Sequence, residues 1–351
     1  MRKTIEGRVS DKDDHIRLED FLKNRLHLTK KEISRAKFRE SGIRVNGERR
    51  RIDALLKAGD LVEILLEAGD KISENLTASG EELSVLYEDG DVIVLDKPAG
   101  ISVHPAGRKE TDTLANRLAF YLREKKEDSV IRIFGRLDRD TSGVVLAVKN
   151  RAAAARLERQ RKSGALFKHY LAITGQAPSP LCGTIDIPLG IDPRRRNRMC
   201  VSPDGKTALT DYETLAVYDS CALIHLSLRT GRTHQIRMHM AAVGCPLLGD
   251  PLYGNGAAAH TLSNIPHPLS DHPAGENDSL PGIKRTALHA YSIRFLQPFT
   301  GKELLVQAPV PEDMLRFIFA QDAPQPPHKA AALSALPPMH PHNFRSESLP
   351  T

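Results

Sequence analysis

The chain has 351 residues, of which 40% are hydrophobic and 27% charged, with a formal net charge of +6, four cysteines and no tryptophan. This length exceeds one typical domain and points to two folded units plus tails. No apolar run approaches the roughly 18 residues of a spanning helix, and an aromatic content of 5% argues against broad base-stacking platforms. The basic balance favours a polyanionic partner. Cys182, Cys200, Cys221 and Cys245 are spaced too widely for a CxxC pair and read as reduced thiols. The first residues carry no apolar signal core, so the expected location is the cytoplasm, with no membrane association.

The charge is concentrated near the start. From Asp14 to Arg51 there are 12 Lys/Arg against 6 Asp/Glu, a surplus equal to that of the whole chain. Leu18, Phe21, Leu22 and Leu26 recur at helical spacing. Thr29 and Glu32 form a capping box for a second helix that passes through Ile33 and Ala36 and stops near Gly42. Ile43 to Gly47 alternates like a strand and ends in an Asn-Gly turn, and Leu61 to Leu65 is a further strand. Lys30, Lys31, Arg35, Lys37 and Arg39 put five cations on or next to the second helix, suited to gripping an RNA backbone. Two helices leading into a small hairpin over residues 14–66 resemble the S4-type, or alpha-L, RNA-binding module, with 34–47 carrying the likeness. The expected domain covers 1–70, and 71–82 reads as a polar linker.

From Leu83 the texture changes. Asp91 to Asp96 is a strand, broken by Lys97-Pro98-Ala99-Gly100, and a helix follows over Leu114 to Leu122. Val130 to Phe134 and Val144 to Val148 read as strands around the polar loop Gly135-Arg136-Leu137-Asp138-Arg139-Asp140-Thr141-Ser142-Gly143. That loop is too polar for core, and its glycines allow tight turns or close approach to a ligand. Residues 151–162 form a helix and Lys168 to Ile173 a strand, with further strands at 210–217, 222–228, 291–296 and 303–308. The segment Arg229 to Arg237 is read as polar and strand-embedded. The class is therefore α+β, a mixed, largely antiparallel sheet over 83–320. Residues 255–283 look like a surface insertion, and the Pro-, Ala- and Ser-rich 321–351 like a disordered tail.

Several look-alikes fail. Asp138 to Gly143 begins like a calcium loop, but its twelfth position is Lys149 rather than a bidentate Glu. His234 and His239 lack the HExxH pattern. No phosphate-cradling glycine motif is present, and the histidines at 260, 267 and 272 show no ligand spacing, so neither a cofactor nor a metal is expected.

In chain order, Asp96-Lys97-Pro98-Ala99-Gly100 with Val103-His104-Pro105, Gly135 to Gly143, Lys168-x-Tyr170, Arg229 to Arg237 and Gly249-Asp250-x-x-Tyr253-Gly254 resemble the RluA-type pseudouridine synthases. The likeness covers 83–310, and its Arg-Leu-Asp-x-x-Thr-Ser-Gly signature is highly specific. It implies the pseudouridine synthase fold and an isomerase acting on uridine in ribosomal or transfer RNA, large-subunit ribosomal RNA standing first because members with an added S4 module often act there. It implies no metal or organic cofactor, and the expected state is a monomer.

By the same resemblance Asp138 is the catalytic carboxylate, Tyr170 stacks on uracil and assists removal of the carbon 5 proton, and Arg237, read on a strand, pairs with the aspartate. Arg136 fills the space left by the flipped base. Arg194, Arg195, Arg196 and Arg198, with the N-terminal helix, hold phosphates. Asp140 is the alternative carboxylate, and attack at the anomeric carbon or proton abstraction from carbon 2′ are both open. Many members carry His where this chain has Gly135. Two other classes compete, a catalytically silent RNA-binding or ribosome-assembly protein and a sugar-bond hydrolase with paired carboxylates.

Overall fold

The computed structural model describes residues 2–26, 28, 30–39, 42–67, 78–105, 110–127, 131–195, 197–254 and 283–321. The capping residue Thr29, Arg196, almost all of the 255–283 insertion and of the tail, and much of the linker lie outside them. The chain divides into two compact units, 1–168 with 290–309 and 169–289 with 310–351.

The first unit opens with a four-stranded sheet. Arg2–Arg8 pairs antiparallel with Leu61–Glu67, which pairs with Ile43–Val45, which pairs with Glu48–Arg49. The edge strand Arg2–Arg8 was not legible, because Ile5 is the single large apolar residue among its charges. Asn46 and Gly47 take φ of 52° and 81°, the twist a two-residue hairpin turn demands. The Asn46 side chain accepts from the Leu61 amide and donates to Asp60, both at 2.8 Å. Helices Leu18–Asn24 and Lys30–Lys37 bury the expected stripe, and Leu18, Phe21, Leu22, Ile33 and Ala36 pack with Ile43, Val45, Val62 and Ile64. Helix Arg151–Ser163 closes this cluster with Ala152. From the same helix, buried Arg156 donates to the Leu26 carbonyl at 2.8 Å and lies 4.3 Å from the Phe299 ring.

In the rest of this unit Ser84–Glu88, Val92–Lys97 and Ser142–Val148 lie side by side, antiparallel. Arg132–Phe134 pairs with Ser142–Val148, and Glu303–Gln307 with Leu288–Leu296. Every residue of Ser142–Val148 is buried, which explains its unbroken apolar run. Gly143, at φ 108°, is obligatory there, because a Cβ would lie 2.2 Å from the Ala290 carbonyl oxygen.

The second unit is built on Cys182–Asp186, Leu209–Val217, Ala222–Leu228 and Phe167–Thr174, adjacent in that order and antiparallel. Its helices are Gln235–Ala242 and Glu312–Phe319. The α+β class with a largely antiparallel sheet is thus confirmed. One element differs from its expected form. Arg237 lies on a helix, not a strand, and all eight residues of that helix are buried, so no amphipathic period betrays it.

Candidate active site

The loop that links Arg132–Phe134 to Ser142–Val148 carries Asp138 half-buried and Arg136 and Arg139 exposed, with Leu137 tucked beneath. A turn closes it, the Thr141 amide donating to the Asp138 carbonyl at 3.2 Å.

Lys97 braces this loop from below. Its side chain is fully buried, and its ammonium donates to the carbonyls of Pro98 (2.8 Å), Ile101 (2.8 Å) and Arg139 (2.9 Å). A lysine can be buried this way only when its three donors are met. Arg139 fastens the same junction twice more. Its Nε donates to the Gly100 carbonyl at 2.8 Å, and its carbonyl accepts from the Gly100 amide at 2.9 Å. The Lys97-Pro98-Ala99-Gly100 segment is therefore the support of the residue that follows Asp138. The clue in the sequence was a lysine ending the apolar strand Val92–Lys97. Burial raises the Asp96 carboxyl, Lys97 opposing it. His104 is pushed down by burial and then by the Arg136 charge.

In the second unit Tyr170 is buried on Phe167–Thr174, across from Leu226. Buried Arg237 holds Asp250 in a two-pronged pair, Nε to Oδ2 at 2.7 Å and Nη2 to Oδ1 at 2.8 Å. Asp250 Oδ1 also accepts from the amides of Leu252 and Tyr253. Tyr253 is buried against this pair. Its hydroxyl accepts from the Met199 amide at 2.8 Å and lies 2.9 Å from His234 Nδ1. The guanidinium carbons of Arg198 and Arg237 each lie 5.3 Å from its ring centroid, and burial pushes its phenol up to about 12. Gln235 ties the helix start to neighbouring backbone, accepting from Thr230 and the Arg232 amide and donating to Leu209 and Thr210. The Arg229 to Arg237 and Gly249 to Gly254 motifs thus orient Arg237, and Asp250 and Tyr253 are the supports that the sequence reading left without a role.

The expected phosphate contacts divide. Lys30, Arg35 and Lys37 are exposed and Arg39 is partly so. Arg194 and Arg195 are exposed as well. Arg198 is buried against Tyr253, which departs from the surface position expected of it.

The match to known proteins is consistent with these motifs. A family model described as RNA pseudouridylate synthase matches residues 91–242. The RNA pseudouridine synthase YhcT of Bacillus subtilis (strain 168) is 34% identical over 88% of this chain and 95% of its own. A protein named ribosomal large subunit pseudouridine synthase D, from Xanthomonas campestris pv. campestris, is 37% identical over 79% of this chain and 80% of its own. The chain belongs to the RNA pseudouridine synthase family. It is thus an isomerase by reaction class, and RNA is the substrate class. Asp138, Tyr170 and Arg237 all fall within the family-matched segment. The human RNA pseudouridylate synthase domain containing 4 shares the fold, with a TM-score of 0.53 at 24% identity over 69% of this chain and 95% of that one.

Proposed function

We propose that this synthase isomerises a uridine of large-subunit ribosomal RNA, with Asp138 as its catalytic carboxylate. The observation that carries the assignment is the bracing of the Asp138 loop. Lys97 and Arg139 fix the backbone on one side of Asp138, and a half-buried carboxylate held in this way is placed to act on a sugar. Asp140 lies in the same loop but outside the Arg-Leu-Asp position. The substrate assignment rests on relatives named for the large ribosomal subunit.

The reaction breaks the bond between nitrogen 1 of uracil and the ribose, turns the base and joins carbon 5 to the sugar. Carbon 5 then gives up its proton and nitrogen 1, freed from the ribose, gains one, so mass is conserved. Asp138 either attacks the anomeric carbon or takes a proton from carbon 2′. The uridine must leave its stack first, at a cost of roughly a few kcal/mol. Exposed Arg136, two residues from Asp138, is suited to fill the gap. The resemblance gives Tyr170 the role at the base and at carbon 5 and makes Arg237 the arginine of the catalytic set, which Asp250 and Tyr253 hold rigid within the second unit. The N-terminal helices and hairpin act as an S4-like module, with Lys30, Lys31, Arg35, Lys37 and Arg39, and with Arg194 and Arg195 from the second unit, as salt-sensitive phosphate contacts.

Carbodiimide labelling and primer extension on RNA from a strain lacking the gene tests this reading. Loss of a stop in large-subunit RNA, restored by the wild-type gene, is expected. Loss confined to transfer RNA would overturn the substrate assignment.

A further inference from the structure

Among the described residues of the first unit, the buried lysines Lys97 and Lys149 are saturated, whereas the half-buried Lys168 is not. Lys97 gives its protons to three carbonyls. Lys149 pairs with both Glu88 and Glu127. Lys168 differs. Its ammonium makes one long hydrogen bond, 3.3 Å to the Phe134 carbonyl, and among the described residues no carboxylate pairs with it. Burial alone, with no charged neighbour acting on it, pushes it down to about 8. A half-buried ammonium with one long bond keeps donors for a partner.

The place it occupies is at the root of the Asp138 loop. Phe134 is the last residue of the strand before that loop, and Gly135, at φ 79°, is its first. A Cβ on Gly135 would lie 2.7 Å from Lys168 Nζ, so this glycine leaves the ammonium its room. Arg136 adds a second positive charge next in the chain. Uracil and ribose are neutral, so the part of the substrate that a spare ammonium can meet is the phosphodiester.

We propose that Lys168 is a binding residue for an RNA phosphate at or beside the target uridine, and that a side chain at position 135, strained already at φ 79°, would shift this ammonium. The proposal rests on the synthase reading for its ligand. It adds a polar anchor at the Phe134 carbonyl, four residues before Asp138, apart from the exposed cations of helix Lys30–Lys37.

The test uses the full chain and an unmodified large-subunit ribosomal RNA transcript made in vitro. Affinity and turnover are measured against salt for the wild type, Lys168→Met and Lys168→Arg, with melting curves to establish folding. Lys168→Met is expected to raise KM up to about tenfold, the worth of one charge-assisted hydrogen bond, with kcat little changed. Its slope of log affinity against log salt falls by about one, and Lys168→Arg keeps the wild-type slope. Gly135→Ala should share the loss of slope. An unchanged slope in a folded Lys168→Met protein would overturn the contact and leave Lys168 as a brace for the Phe134 carbonyl. If instead the slope falls while the wild type converts no uridine in any RNA offered, the phosphate contact stands and the synthase reading of the site fails.

Discussion

Lys97→Met removes the ammonium under the Asp138 loop and keeps the length and apolar body of the side chain. Three carbonyls then lose a donor, those of Pro98, Ile101 and Arg139. Arg139 retains its bond from the Gly100 amide, so the loss falls on Pro98 and Ile101. A fully buried carbonyl left without its partner costs about 1–3 kcal/mol, and because Pro98 is exposed and Ile101 half-buried water recovers part of this, leaving roughly 2–4 kcal/mol for the two. Relief of the desolvated ammonium offsets part of this, and a net destabilisation of about 1.5–3 kcal/mol is expected. For the first unit, of about 190 residues, that lowers Tm by about 3–12 °C. Thermal melting read by circular dichroism measures the first effect. Turnover on unmodified transcript well below the new Tm measures the second, a fall in kcat with KM near the wild-type value, because Asp138 loses its fixed position while the RNA-facing cations remain. A Tm within about 2 °C of wild type and an unchanged kcat would refute the bracing argument.

The same reasoning reaches the second unit. Asp250→Asn strips the charge from one side of the buried two-pronged pair with Arg237, which should cost up to about 3–5 kcal/mol in urea unfolding and reduce kcat. A variant as stable as wild type would show that the pair does not hold Arg237. Stability should also depend on acid through His225, which burial, and then stacked His169 at 5.1 Å, push down to about 3. The unfolded chain takes up this proton near the ordinary histidine value and the folded chain does not. The contribution is therefore complete above about pH 6.5 and is lost as pH falls from there toward 3, at up to roughly 1.4 kcal/mol per pH unit. Urea midpoints between pH 7 and 5 should slope less in His225→Leu, and equal slopes would count against it.

Much of this was readable in the chain because the elements concerned are half-buried. The stripe of Leu18, Phe21 and Leu22, the Asn46-Gly47 turn and the apolar run after the Asp138 loop each left a period or a turn signal. The helix carrying Arg237 left none, since every one of its faces is buried. The edge strand Arg2–Arg8 was hidden by its charges, with pairing supplied by Leu61–Glu67 rather than by its own pattern. Site residues were marked by motif, but not their supports. Beyond a lysine that ends an apolar strand, nothing about Lys97, Asp250 or Tyr253 as letters says that they hold carbonyls or a guanidinium, because partners such as Arg139 for Lys97 and Arg237 for Asp250 are brought in only by folding. The burial of Arg198 was missed for the same reason, its run of arginines reading as surface charge.

The claim that Asp138 performs the isomerisation is tested most directly by Asp138→Asn, a substitution that keeps the size of the side chain. Purified protein is incubated with unmodified large-subunit ribosomal RNA, and pseudouridine is counted after carbodiimide labelling. The account predicts no detectable pseudouridine while RNA affinity and melting temperature stay close to wild type. Pseudouridine formed at the wild-type rate would contradict it.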